Sequence, residues 1–218
     1  MIISRTPFRI SFFGGGTDFP KWYEAKDGKV ISTTINKYCY ISVRELPPFF
    51  KYNYRLTYFK KEFVKKVKDI KHPSIRETIK FLKIKNNLEI LHSADLPAQS
   101  GLGASSSFTV GLVNSLIALN GKRITKKQLG LNAIEIEQKK IRETVGSQDQ
   151  MAAAFGGFNV INFNKQKIEI APVICGPKNL KELENSIFIF FTGYPREATV
   201  LENQKIKQLK SKINFYKE

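Results

Sequence analysis

Cysteine is scarce: Cys39 and Cys175 are the only two in the chain. Two thiols cannot lay out a disulfide framework, and the reading is a pair of reduced thiols in a cytoplasm. Long hydrophobic runs are lacking too. Apolar stretches such as SIFIFFTGY at 186–194 are far too short to cross a bilayer. Arg5 and Arg9 interrupt the N-terminal apolar stretch where the hydrophobic part of a signal peptide would lie. Histidine is limited to His72 and His92, with no cysteine at ligand spacing, so neither reads as a zinc ligand. Acidic residues are few, with 19 Asp+Glu against 36 Lys+Arg and a formal net charge of +17. Two readings of that excess stay open: an anionic partner, or lysine-rich solvated faces. Against these shortages stand 42% hydrophobic and 12% aromatic residues in 218, which exclude a disordered chain and suffice for one core and part of a second.

Residues 1–12 read as a strand ending in a glycine turn, and 30–46 as one or two strands rich in β-branched and aromatic residues. Apolar residues at helical spacing among lysines predict helices over 61–71 and 74–85, the second opened by a Ser74–Glu77 capping box. A strand over 86–96 leads through a glycine loop into an apolar helix that stops near Asn120-Gly121. Thr125 and Gln128 form another capping box, for a helix reaching about Arg142. Strands are expected at 155–163, 167–173 and 186–194, and a helix from Arg196 onward; Trp22 reads as a packing residue. The irregular alternation of strands and helices indicates an α/β or α+β domain, with no repeat and no low-complexity linker.

Three stretches carry chemistry. LPAQSGLGASSS at 96–107 is a glycine loop entering a helix, where free N–H groups and the positive end of the helix dipole suit a phosphate. No lysine follows the glycines, so it is not a Walker A loop. Ser106 stands where a dinucleotide fingerprint needs its third glycine. Alone it is also compatible with a tight structural turn. In ETVGSQDQMAAAFGGFN, at 143–159, Asp149 stands between two glutamines and could orient or deprotonate a hydroxyl, or merely cap a helix. Glu137, by itself, reads as a surface glutamate.

Taken together these stretches resemble the GHMP small-molecule kinases. Pro7-Phe8-Arg9 followed by ISFFGGGTDF is similar to the family's first motif, and Pro97 to Ser106 to its second, Pro-x-x-x-Gly-Leu-Gly-x-Ser-Ser. Asp149 after Gly146 looks like the catalytic aspartate, and Glu137 lies where the magnesium-binding glutamate should be. Within the family the segments look most similar to the heptose 7-phosphate kinases.

The resemblance implies an α+β fold: the GHMP two-layer N-terminal domain of ribosomal-protein-like topology over residues 1–195, with an incomplete ferredoxin-like C-terminal domain beginning at 196–218. It implies ATP-dependent phosphorylation of the anomeric hydroxyl of a mannoheptose 7-phosphate. Pro97, Ser100, Gly101, Leu102, Gly103, Ala104, Ser105, Ser106 and Ser107 would cradle ATP, and Ser105 with Glu137 would hold Mg²⁺. Asp149 would act on the attacking hydroxyl, with Arg9 beside it stabilising charge on the transferring group. Gly14, Gly15, Gly16, Thr17 and Asp18 would bind the sugar phosphate. Galactokinase-like relatives carry Gly-Glu-His-Thr-Asp at this turn, and a glutamate there would repel a terminal phosphate. The partners implied are a small sugar phosphate and ATP, with no nucleic acid and no membrane. No Gly-x-Gly-Gly-Gly follows Gly157, so the family's third motif is missing. Alternatives are another sugar kinase of the family, a non-catalytic nucleotide- or sugar-binding product, and an RNA-binding role.

Overall fold

The computed structural model describes residues 1–98 and 100–190. Its centre is β2 (Gly28–Glu45), an 18-residue strand whose residues alternate between buried and exposed over most of its length. Along one edge it pairs antiparallel with β1 (Ile2–Phe13), from Ile2 opposite Val43 to Phe13 opposite Ile31. Along the other it is shared: the C-terminal half pairs with β5 (Leu88–Ala94) and the N-terminal half with β6 (Phe158–Phe163). The hairpin β3 (Tyr54–Thr57) and β4 (Lys61–Val64) extends the sheet beyond β5, and β7 (Ile168–Pro172) extends it beyond β6.

Helices α2 (Pro73–Phe81), α3 (Ala104–Leu119), α4 (Lys126–Ile134) and α5 (Gln148–Phe155) bury the apolar side of this sheet. One apolar cluster joins Ile41, Val43, Leu56, Leu88 and Ile90 of the sheet to Phe108, Leu112 and Leu116 of α3. A second joins Val30, Ile161 and Phe163 to Ile134 and Met151, and a third joins α3, α4 and α5 through Val113, Ala133 and Ala153. The α+β reading holds.

The structure differs from expectation at several elements. Residues 61–71 are not a helix: Lys61–Val64 pair with β3, a short 3-10 turn covers Val67–Asp69, and Glu62 ties the segment down. The Glu62 carboxylate accepts the backbone N–H of Lys71 (2.7 Å) and the hydroxyl of Tyr58 (2.6 Å). The Ser74–Glu77 box does not form. Pro73 opens α2, His72 occupies the cap position with no side-chain bond, and Glu77 pairs with Arg76 and Lys80. The Thr125 cap does form, its hydroxyl accepting the Gln128 N–H. Beyond Ile134 the α4 helix widens into a π-helical segment, Glu135–Ile141, closed by Arg142 at φ 65°. After β7 a further helix, α6 (Pro177–Asn185), occupies a stretch for which no helix is expected. Ser186–Phe190 are not a strand; the rest of 186–194, the helix from Arg196 and the 195/196 domain boundary lie outside the described residues. Among the described residues no helix is long and apolar enough to cross a membrane.

Candidate active site

Two elements from opposite ends of the sequence meet first. Arg9 on β1 donates from Nε to Asp149 Oδ1 at 2.8 Å and from Nη2 to Asp149 Oδ2 at 2.7 Å, a planar two-bond pair with Asp149 in the first turn of α5. The third reach of the guanidinium, from Nη1, goes to the carbonyl of Gly101 at 2.9 Å, and the Arg9 N–H donates to the carbonyl of Leu102. The glycine loop is thereby laid over the ion pair. Gly103 stands at φ +77°, and a methyl there would come 3.3 Å from Arg9 Cγ and 3.4 Å from Asp149 Oδ2. Gly101, at φ +75°, faces open space. The loop thus delivers the unpaired N–H groups of the first turn of α3 beside Asp149, an arrangement suited to an anion.

In the first turn of α3, Ser106 is buried and donates to Glu137 Oε2 at 2.9 Å; Gln150 Nε2 donates to the same oxygen. Glu137 is not a surface residue. It is fully buried at 0% exposure, carried inward by the π-helical segment. Burial raises its pKa to about 7, against hydrogen bonds from Ser106 and Gln150 that favour the carboxylate. Its Oε1 has no hydrogen-bond partner among the described residues. An orphaned carboxylate oxygen beside a serine hydroxyl suits a hard cation. Among the described residues no three His, Cys, Asp or Glu side chains gather for a metal. The pair therefore fits an ion that takes one or two protein oxygens and completes its shell with phosphate and water, as Mg²⁺ does. Ser105, the serine assigned to the metal from sequence, is exposed on the first turn; the helix phase gives the inward position to Ser106. Ser107 is committed elsewhere, donating to the carbonyl of Pro7 at 2.8 Å. The Ser100 hydroxyl is buried without a partner among the described residues.

The glycine turn contributes differently from expectation. Asp18 is 1% exposed, and its carboxylate accepts the N–H of Gly16 at 2.9 Å and of Gln148 at 3.3 Å, while its carbonyl accepts from Ser147. Burial, and secondarily the charge of Asp149, push its pKa up. Gly146 leaves the space that Asp18 fills: a methyl there would lie 1.8 Å from Asp18 Oδ2. Asp18 therefore clamps the turn to the start of α5, its buried carboxylate turned to the backbone. Thr17 is likewise occupied, its hydroxyl donating to the Gly14 carbonyl at 2.8 Å and accepting the Lys29 N–H at 3.0 Å. Of the five turn residues, Gly14 and Gly16 shape the backbone, and Gly15 is left facing the Gln148 amide. Gln148 and Gln150 are the site residues given no role from sequence; the Gln-Asp-Gln triplet was their signal.

The chain is similar to several known proteins. The family described as GHMP kinases N terminal domain matches residues 63–157. Over 214 residues the chain is 30% identical to a D-glycero-alpha-D-manno-heptose 7-phosphate kinase of Campylobacter jejuni, covering 94% of this chain and 63% of that protein. A galactokinase of Pyrococcus furiosus is 27% identical over 213 residues, covering 95% of this chain and 58% of its own length. The chain thus spans roughly three fifths of the curated relatives it matches. The crystal structure of a D-glycero-D-manno-heptose 1-phosphate kinase from Bacteriodes thetaiotaomicron superposes with a TM-score of 0.78 at 24% identity, covering 97% of this chain and 72% of that one.

Proposed function

From a chain that has the GHMP kinase fold and carries that family's N-terminal domain at residues 63–157, we propose an ATP-dependent sugar kinase that phosphorylates the anomeric hydroxyl of a mannoheptose 7-phosphate. The observation that carries the reading is the Arg9–Asp149 pair lying beneath the glycine loop, with the buried Glu137 hydrogen-bonded to Gln150, the residue after Asp149. The loop from Pro97 to Ser107 binds the ATP phosphates through backbone N–H groups. Asp149 orients the attacking hydroxyl and accepts its proton. Arg9 fixes that carboxylate and offers positive charge where charge develops on the transferring group. Glu137 and Ser106 would hold Mg²⁺, which would supply positive charge against that of the ATP phosphates. The heptose phosphate, rather than a neutral hexose, is supported by the identity to the Campylobacter enzyme and by the uncharged Gly15 at the turn.

The test is ATP consumption by the full-length protein across a panel of sugars and sugar phosphates. Heptose 7-phosphate should give the highest kcat/KM, and Asp149→Asn should lower kcat by about 10²–10⁴ with little change in nucleotide affinity. Near-normal turnover in that variant removes Asp149 from the chemistry. Gly15→Glu should weaken heptose 7-phosphate far more than Gly15→Gln does. Equal damage from the two would mean that shape, not charge, matters there, and the choice of a phosphorylated sugar would lose its physical support.

A further inference from the structure

Gln148 has the features of a ligand-reading residue and no structural task for its side chain. Its backbone is anchored, the N–H donating to Asp18 Oδ2. Its carboxamide is not: Oε1 is buried without a partner, and no hydrogen bond from Nε2 is found among the described residues. Leaving an amide unmatched in this way is unfavourable in the free protein, by the ordinary cost of an unmet buried polar group. The two glutamines flanking Asp149 differ sharply here, because Gln150 spends its Nε2 on Glu137.

The surroundings define what the free amide faces. Nε2 is the heavy atom nearest to where a side chain on Gly15 would begin, at 3.9 Å, so the glycine turn leaves room above it. Asp149 follows directly in the first turn of α5, held by Arg9. Gly16, Thr17 and Asp18 satisfy one another and the backbone, which leaves Gln148 as the uncommitted polar side chain between the turn and Asp149. A carboxamide can donate from one end and accept at the other, the pattern that a hydroxyl or a pair of neighbouring hydroxyls presents.

We propose that Gln148 is a specificity-determining residue whose carboxamide engages the sugar hydroxyl next to the one that Asp149 orients. The inference rests on the sugar-kinase reading above and adds to it the residue that recognises the sugar. For an anomeric acceptor that neighbour is the C2 hydroxyl. The bare Gly15 is then required for access of the sugar to Gln148 as well as for the absence of charge.

The test uses Gln148→Met, which keeps length without polarity, and Gln148→Glu, which keeps shape and an acceptor but no donor. Kinetics are run with sugar and ATP varied separately, using heptose 7-phosphate and its 2-deoxy analogue, with calorimetric sugar binding in parallel. In Gln148→Met the KM for the sugar should rise about tenfold, as for one lost hydrogen bond, with the KM for ATP unchanged. The parent should discriminate against the 2-deoxy analogue and the Met variant should not. Gln148→Glu should fold like the parent and show an intermediate loss. Retained discrimination in both variants, or equal changes in the two KM values, overturns the role of Gln148 and leaves the kinase reading standing. If the parent acts on a different sugar, the heptose assignment fails and that sugar's neighbouring-deoxy analogue decides the Gln148 inference. A parent that binds and phosphorylates no sugar overturns both.

Discussion

Gly14, Gly15 and Gly16 look equivalent in the sequence and are not. Gly14 stands at φ +85°, and a methyl there would lie 1.8 Å from the Lys29 carbonyl oxygen. Gly16 stands at φ +102°, where no side chain rests without strain. Gly15 needs neither freedom, its nearest neighbour being the Gln148 amide at 3.9 Å. Gly14→Ala and Gly16→Ala should therefore each destabilise by about 1–2 kcal/mol or more, while Gly15→Ala stays within about 0.5 kcal/mol. Urea denaturation of the three variants separates them, and equal midpoints would refute the division of tasks. Glu137 gives a second expectation at this scale. Its folded pKa of about 7 lies above its ordinary 4.5, so between those values the folded state holds the extra proton. Stability is then lost as pH rises through that window and is unaffected by Glu137 below it. Thermal midpoints should fall from about pH 5 to about pH 8, and less steeply in Glu137→Gln; Asp18, raised in the same direction, keeps part of the slope. At the alkaline end Mg²⁺ should raise the midpoint of the parent and not of the variant.

Helix α3 carries the loop and Ser106, so its seat on the sheet sets the site. Gly111 brings it close to β1: a side chain there would meet Thr6 Oγ1 at 2.7 Å and Ser4 Oγ at 3.0 Å. The Gly111 carbonyl accepts from both Ser4 and Ser115. Gly111→Val should destabilise by about 1–3 kcal/mol through overpacking, read as a lower denaturation midpoint at unchanged slope. The same scale shows where the sequence was and was not readable. The Thr125 cap appears because it is a local bond across three residues, while the Gln128 side chain turns to Asn132 instead of closing the box. Lys61–Val64 reads as helix from its apolar spacing, yet it is a strand because β3 is recruited in parallel to β5, Tyr54 opposite Leu88, and β4 follows it. The partner of β4 is its hairpin neighbour β3, but the strand that holds β3 in the sheet, β5, lies far away in sequence, outside any local window. The π-helical turn that buries Glu137 is invisible for the same reason.

At the scale of the whole chain the formal net charge is +17, which would favour the approach of an anionic substrate. Long-range attraction of this kind is screened within about 8 Å at physiological ionic strength. Raising salt from about 0.05 M to about 0.5 M should therefore raise the KM for a sugar phosphate and leave that for an uncharged sugar nearly unchanged. Equal salt effects on the two would show that the charge is ordinary solvated surface, the second reading left open by composition. The site itself is assembled from three distant parts, β1, the loop before α3 and the start of α5, brought together because β1 flanks β2 while α3 and α5 lie on both strands.

Residue types and spacing were enough for an α/β or α+β domain and for the loop at 97–107, and the family resemblance added the α+β class and the pairing of Arg9 with Asp149 in one site. Each rests on a pattern written over a few neighbouring positions, or on a family resemblance that such patterns carry. Which serine turns toward Glu137, whether that glutamate is wet or buried, and whether Asp18 serves the sugar or the backbone could not be read that way. Those are matters of helix phase and of who fills the space across a packed interface. Ser105 and Ser106 are equivalent as letters, and a rotation of roughly 100° per residue along α3 separates the exposed one from the one on the carboxylate. Asp18 is packed against Gly146, 128 positions later, whose missing side chain is the room it occupies.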